Sequence, residues 1–435
     1  MRVNPRPRFI ASVLIGVLLV VLGMGAIRTL DRARAAAGSL VRVGSFGSNP
    51  GALAMYTYTP TNLAANAPLV VALHGCTQTA NDYYTHSGWA ELADRYGFAL
   101  VFPQQSSANN NLQCFDWYTP SDDGRDVGEA ASVKSMVDYE KSHLSIDAAR
   151  IFVTGLSAGG AMTVDLLADY PDVFAGGATD SGLPAQCATS QTQATNCQQN
   201  DQHLTPAQWA ARVRSSYPSY AGGYPRVAIW QGTSDFVVYP VNGTELRDQW
   251  TAVHGLSQTP SSTQTLTGGT TQTLYNDASG TPLVALFSIS GMGHGTAVHP
   301  GSAADQCGST GAYFLDYICS SYYTALFWGL TGPSQSPTST APPTSTAPPT
   351  SSPTQTPTGT PTTAGSPTPT GTPTATGPCV VASNYAHTRA GRAHQASGKT
   401  YADGSNQDLG LWNTFVIHAL RQTGPDYWVI ADGQC

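Results

Sequence analysis

The stretch Gly155-Leu156-Ser157-Ala158-Gly159-Gly160 sets a serine between glycines. A serine hydroxyl is a weak nucleophile by itself. It needs a base to take its proton, a third group to orient that base, and N–H donors for the oxyanion that forms. The apolar, β-branched residues 150–154 before the motif read as a buried strand, and residues 161–170 after it as a helix stopped by Pro171. In a chain with 44 glycines, G-x-S-x-G alone says little. Between a strand and a helix, however, it describes a nucleophile elbow, where side chains at the flanking positions would clash.

The remaining chemistry follows in chain order. Of ten histidines, His294 lies in Gly291-Met292-Gly293-His294-Gly295, directly after an apolar run over 283–289. Imidazole titrates near neutrality, so it can take the hydroxyl proton and return it to the leaving group. His299 is its competitor. His254 and His143 read as surface residues, and His74 as structural support for its loop. Asp235 follows the predicted strand 226–230 and falls between serine and histidine, as the acid of such a triad should. Asp180 is the runner-up, and Asp201 sits in a polar loop. The oxyanion donors are expected to be the N–H of Ala158 and that of Cys76, in the loop Leu73-His74-Gly75-Cys76. This chemistry requires no metal and no cofactor.

These residues need a scaffold that brings strand ends together. Apolar runs at 68–73, 98–102, 150–154, 226–230 and 283–289 alternate with helical patterns at 89–96, 126–144, 161–170, 206–215 and 244–254. A long aromatic-rich helix is expected over 312–330, and edge strands over 40–60. Alternation of this kind predicts an α/β fold with a mostly parallel central sheet, with chemistry at the carboxyl ends of its strands.

Composition sets the compartment and the boundaries. Charged residues are 11% of 435 and the net charge is −7, so no basic face argues for nucleic acid. Residues 1–37 read as a signal peptide, with Arg2, Arg6 and Arg8 before an apolar run and small residues near Ala37. The alternative is a retained anchor, since the run is long enough to span a bilayer. Either way the folded part lies outside the cytoplasm, and after cleavage no stable membrane association is expected.

Eight cysteines suit that compartment. Cys187–Cys197 and Cys307–Cys319 would close short loops. Cys379–Cys435 would bracket the last segment, which leaves Cys76–Cys114. The catalytic domain is expected over 38–331, and a Pro/Thr/Ser-rich linker over 332–378. A small Cys-bounded module over 379–435 carries six aromatic residues: Tyr385, Tyr401, Trp412, Phe415, Tyr427 and Trp428. They form its core, a polymer-binding face, or both.

Leu73-His74-Gly75-Cys76-Thr77-Gln78, Cys114-Phe115-Asp116-Trp117, the elbow continued through Ala161-Met162, and Gly291-Met292-Gly293-His294-Gly295 together resemble the polyhydroxybutyrate depolymerase family of secreted esterases. The likeness covers about residues 43–330. It implies an α/β-hydrolase with Ser157, Asp235 and His294 as triad and Cys76 and Ala158 as oxyanion donors. The run Asp123-Gly124-Arg125-Asp126-Val127-Gly128-Glu129 departs from the more glycine-rich stretch expected there. The expected function is secreted, monomeric hydrolysis of short-chain polyhydroxyalkanoate through an acyl-enzyme, on insoluble polyester. The first alternative is an acetylxylan or feruloyl esterase acting on plant cell-wall polysaccharide. A different class is a non-catalytic polymer-binding protein on a hydrolase scaffold, which an intact triad argues against.

Overall fold

A computed structural model describes residues 38–332, 377–396, 399–411, 417–432 and 435. The expected signal peptide, nearly all of the linker, and Trp412 and Phe415 lie outside them. The described residues fall into two compact units, divided between Ser336 and Pro337.

The first unit opens with β1 (Val41–Val43), β2 (Ala54–Tyr58), β3 (Ala67–Leu73), α1 (Ala80–His86), α2 (Trp89–Tyr96) and β4 (Ala99–Gln104). There follow α3 (Gly128–His143), β5 (Ile146–Leu156), α4 (Ala158–Asp169), β6 (Gly176–Asp180), α5 (Gln191–Gln199), α6 (Pro206–Ser216) and β7 (Arg226–Gly232). It closes with α7 (Val241–Val253), β8 (Ser262–Thr265), β9 (Thr270–Asn276), β10 (Pro282–Ile289), β11 (Thr296–Val298), β12 (Phe314–Asp316) and α8 (Ser320–Trp328).

Ten strands form one sheet in the order β1-β2-β4-β3-β5-β6-β7-β10-β9-β8. From β4 to β10 neighbours are parallel; both flanks are antiparallel. Burial explains the parallel centre. All seven residues of β3 are buried, with Leu69, Val71 and Leu73 in one core and Val70 and Ala72 in the other. A strand buried on both faces reads as continuous apolar sequence, and helices must cover both sides. The first core takes Val133 and Met136 of α3, Leu166 of α4, Trp209 of α6 and Trp250 of α7. The second takes Tyr83 of α1, Trp89 of α2 and Trp328 of α8. There Trp328 stacks on Phe152 at 4.7 Å and on Trp89 at 5.5 Å between centroids.

Two expectations need correction. The segment 312–330 is not one helix: Phe314–Asp316 pairs in parallel with Thr296–Val298, and the helix starts only at Ser320, after Cys319 is bonded to Cys307. The same apolar residues suit strand or helix, and tertiary pairing decided. Asp180, the runner-up acid, is the last residue of β6. His254 is not a surface residue. It is half-buried, with Nε2 3.0 Å from the Pro225 carbonyl. In addition, α1, α5 and the β8–β9 hairpin went unread. β8 is Ser-Thr-Gln-Thr, exposed throughout, and so carries no apolar pattern.

The second unit contains β13 (Cys379–Ser383), α9 (Asn384–Arg389), β14 (Ala393–Ala396), β15 (Lys399–Ala402), β16 (Asp408–Leu411), β17 (Ile417–Gly424) and β18 (Tyr427–Ile430). They form two three-stranded sheets, β13-β17-β18 and β14-β15-β16. Its buried apolar cluster is Ala393, Ala402, Leu409, Leu420 and Trp428. So small a core benefits from the Cys379–Cys435 bond, which closes a loop worth about 4 kcal/mol in lost chain entropy of the unfolded state.

Candidate active site

Register aligns the strand ends. Leu73 pairs with Gly155, Leu156 with Asp180, Asp180 with Trp230, and Gly232 with Ile289. The carboxyl ends of β3, β5, β6, β7 and β10 therefore lie side by side on one edge, about 4.8 Å apart from strand to strand. Every residue expected to do chemistry leaves from one of those ends.

Ser157 follows β5 at φ 57° and ψ −118°, a conformation costly for a residue with a Cβ. Its N–H donates to the Asp180 carbonyl at 2.9 Å, and its carbonyl accepts from Ala161 N–H at 2.8 Å. A Cβ on Gly155 would sit 2.4 Å from the Gly159 carbonyl oxygen, and one on Gly159 would sit 2.4 Å from that of His74. The flanking glycines thus let the turn fold against itself and against the loop after β3.

His294 Nδ1 donates to Asp235 Oδ2 at 2.8 Å. Asp235 is fully buried, and its Oδ1 accepts from the N–H groups of Val237 and Val238 at 2.9 Å each. Burial pushes its carboxyl up, but the His294 ring and the hydrogen bonds outweigh that and hold it below the ordinary carboxylate value. With the proton fixed on Nδ1, Nε2 carries the lone pair. The Tyr313 ring stands edge-on to the imidazole at 6.1 Å. Among the described residues Ser157 Oγ makes no hydrogen bond, and the His294 ring bonds Asp235 alone. The structure therefore joins acid to base and brings serine to the same edge, without a hydroxyl–imidazole bond.

The loop after β3 is tightly held. Gly75 N–H donates to Gln78 Oε1 at 2.8 Å and Thr77 N–H to the Leu112 carbonyl at 2.6 Å. Cys76, between them, is bonded to Cys114 through sulfur, while its N–H has no partner among the described residues. Ala158 opens α4, where an N–H has no intrahelical acceptor. Two free N–H donors thus lie just after β3 and β5, next to the serine in the chain or on the neighbouring strand end.

Behind the loop lies a network that begins at His74, the expected structural support, and continues through residues that sequence reasoning missed. His74 Nδ1 meets the Gly75 carbonyl at 2.7 Å, and Nε2 accepts from Gln105 N–H at 3.1 Å. Gln105 Nε2 donates to Glu129 Oε1, and Glu129 Oε2 accepts from Asp116 N–H at 2.9 Å. Burial pushes Glu129 up to about 8 and His74 down to about 4, so both are held neutral near pH 7. Glu129 sits in the run that departs from the family pattern, and one of several acidic residues there gives no signal of burial. Asp180 is also buried. It accepts from Thr296 and Tyr83, and His294 takes Asp235 in its place. His299 pairs with Asp316 on the exposed surface, and Asp201 lies exposed beside His203. Cys187–Cys197 and Cys307–Cys319 are also bonded. Among the described residues no group of three His, Cys, Asp or Glu is placed to hold a metal ion.

The model of the Esterase PHB depolymerase family matches residues 52–272, which include Ser157 and Asp235. Poly(3-hydroxyalkanoate) depolymerase C of Paucimonas lemoignei is 50% identical over 295 residues, 68% of this chain and 71% of that protein. Feruloyl esterase B of Talaromyces stipitatus is 38% identical over 282 residues, covering 63% of this chain and 77% of that one. Among solved structures, an acetyl xylan esterase from Aspergillus awamori superposes with a TM-score of 0.55 at 33% identity. That match covers 59% of this chain and 94% of the other.

Proposed function

The chain belongs to the Esterase PHB depolymerase family, and on that premise we propose that it is an exported serine hydrolase of short-chain polyhydroxyalkanoate. As a member it is a carboxylic ester hydrolase. Ser157 Oγ attacks the ester carbonyl while His294 Nε2 takes its proton. Asp235 holds the tautomer and stabilises the imidazolium. The carbonyl oxygen becomes an oxyanion between the Cys76 and Ala158 N–H groups. His294 then protonates the leaving alkoxide, which departs as the hydroxyl end of the polymer. Water, deprotonated by the same imidazole, releases the acyl group from Ser157. The dry, net-ionised Asp235 on His294 is the observation that carries this reading.

The polyester is favoured by what surrounds the serine. The segments 74–79, 105–115, 233–240 and 290–295 carry one Asp, Glu, Lys or Arg, the buried Asp235, while the rest of the loop before α3 adds Asp116, Asp122, Asp123, Arg125 and Asp126. Leu112, Phe236 and Tyr239 in those loops are exposed. Exposed apolar side chains on these segments suit a neutral, apolar chain. Four disulfides fit export into an oxidising medium, where such bonds persist. The second unit serves as a tether to solid polymer, raising local concentration without altering the chemical step. A panel of polyhydroxybutyrate film, acetylated xylan, methyl ferulate and p-nitrophenyl esters tests the substrate. The film and short acyl esters should be cleaved fastest; a preference for xylan or ferulate would transfer the enzyme to the plant cell wall.

A further inference from the structure

Asp180 touches three parts of the site at once. Its backbone carbonyl accepts the Ser157 N–H at 2.9 Å and so fixes the elbow. Its carboxylate Oδ2 accepts from Thr296 Oγ1 at 3.2 Å, two residues beyond His294. The same oxygen accepts from Tyr83 OH at 3.4 Å. Tyr83 belongs to α1, which starts four residues after Cys76 and is capped by Thr79 in a reciprocal box with Asp82. Thr296 N–H in turn donates to the Tyr313 carbonyl at 2.8 Å, and the Tyr313 ring stands against His294.

The placement is costly. Asp180, Tyr83 and Thr296 are all buried, and among the described residues no Lys, Arg or His pairs with the carboxyl. Among the described residues Oδ1 has no hydrogen-bond partner. A carboxyl in such a place is destabilising unless its hydrogen bonds secure something else. Burial pushes it up to about 7, so the group is not kept for a strong fixed charge. Nor is it the partner of the catalytic imidazole.

We propose that Asp180 is a positioning residue, which sets the distance between Ser157 and the His294 loop and couples both to the helix behind the Cys76 loop. The inference rests on the Ser157–His294 reading above. The mechanism is geometric. The main chain of Asp180 holds the nucleophile, and its side chain holds Thr296, hence the strand that begins two residues after the base. Attack requires reacting atoms within a few tenths of an ångström of their best placement, and a shift of about 1 Å can cost about 100-fold.

The test uses the full chain with Asp180→Ala, Asp180→Asn, Thr296→Val and Thr296→Ser, and Ser157→Ala as control. Turnover of a soluble p-nitrophenyl ester is expressed per site titrated by a serine-directed phosphonate, so misfolded protein does not count. Asp180→Ala and Thr296→Val should lower kcat about 10- to 100-fold with KM changed less than about twofold. Thr296→Ser, which keeps the hydroxyl, should restore most of that loss. Asp180→Asn, which keeps an acceptor oxygen, should lose less than Asp180→Ala. If Asp180→Ala lowers only the melting temperature or the fraction of titratable sites, with kcat per site unchanged, the positioning role is overturned. Equal losses in Thr296→Ser and Thr296→Val would also overturn it. If instead Ser157→Ala keeps its activity, the serine reading fails first, a result separate from either.

Discussion

The sheet edge of the first unit and the small second unit both hold histidines against aspartates, at nearly equal distances. His294 and Asp235 are 2.8 Å apart; His394–Asp403 and His418–Asp432 are each 2.7 Å apart. By distance alone the second unit has two such pairs. The difference is the surroundings. Asp235 is fully buried and His294 is 10% exposed, whereas Asp432 and His394 are each 49% exposed. In water a charge pair at this distance is worth little, and in a dry site much more. The dry pair also has a strained serine on the same edge and two free N–H groups, which the described part of the second unit does not offer. A hydrogen-bonded His–Asp pair is therefore not a catalytic feature until its carboxylate is sealed and its free nitrogen has a nucleophile to serve.

The largest effects should separate the two kinds of pair. His294→Ala should reduce kcat/KM on a soluble ester by at least about 10⁴-fold. His418→Ala and His394→Ala should leave it within about twofold. Comparable losses in all three would break the comparison. Asp235→Asn keeps the shape but disturbs the tautomer, and should cost about 10³- to 10⁴-fold in kcat. Asp432→Asn, at the exposed counterpart, should cost nothing measurable.

A smaller contrast concerns stability and pH. Glu129 rises to about 8 when folded, from 4.5, mainly through burial. The folded state then binds a proton that the unfolded state has released, so this stability is full below about pH 4.5 and lost as pH rises through about 8. Glu140 and Asp180, each pushed up to about 7 by burial, act in the same direction. His74, lowered to about 4, opposes them on the acid side: its contribution is present above about 6.5 and lost as pH falls through about 4. Melting temperature should therefore fall by several degrees between pH 6 and pH 9, and Glu129→Gln should flatten the fall. Asp408→Asn, at a surface ion pair with Lys399, should leave that slope alone. The smallest effect expected is on soluble substrate after truncation at Leu330, which should change little while film degradation slows. An equal loss on both would make the tail structural.

The site was more legible than the scaffold around it. Ser157 stood out because its glycines separate a β-branched strand from a helix, and His294 because its glycines follow an apolar run. Those patterns have local causes: an elbow admits no side chain at Gly155 or Gly159, and both lie against backbone. Asp235 was readable only through chain order. Glu129 was not readable as a buried acid, because its partners Gln105 and Asp116 N–H come from other segments. The same is true of Asp180, whose partners lie 97 and 116 residues away. The strand Phe314–Asp316 is not legible as a strand, because its pairing with Thr296–Val298 leaves no periodic trace in so short a run.

The central claim is that Ser157, served by the dry His294–Asp235 pair, is the nucleophile. The direct measurement is to react the full chain with a serine-directed phosphonate and map the adduct by peptide mass spectrometry. One phosphonyl group per chain should appear, on Ser157, with hydrolysis lost in proportion and with labelling much slower in His294→Ala. Labelling on another serine with Ser157 unmodified, or full hydrolysis by a chain fully labelled at Ser157, would contradict it.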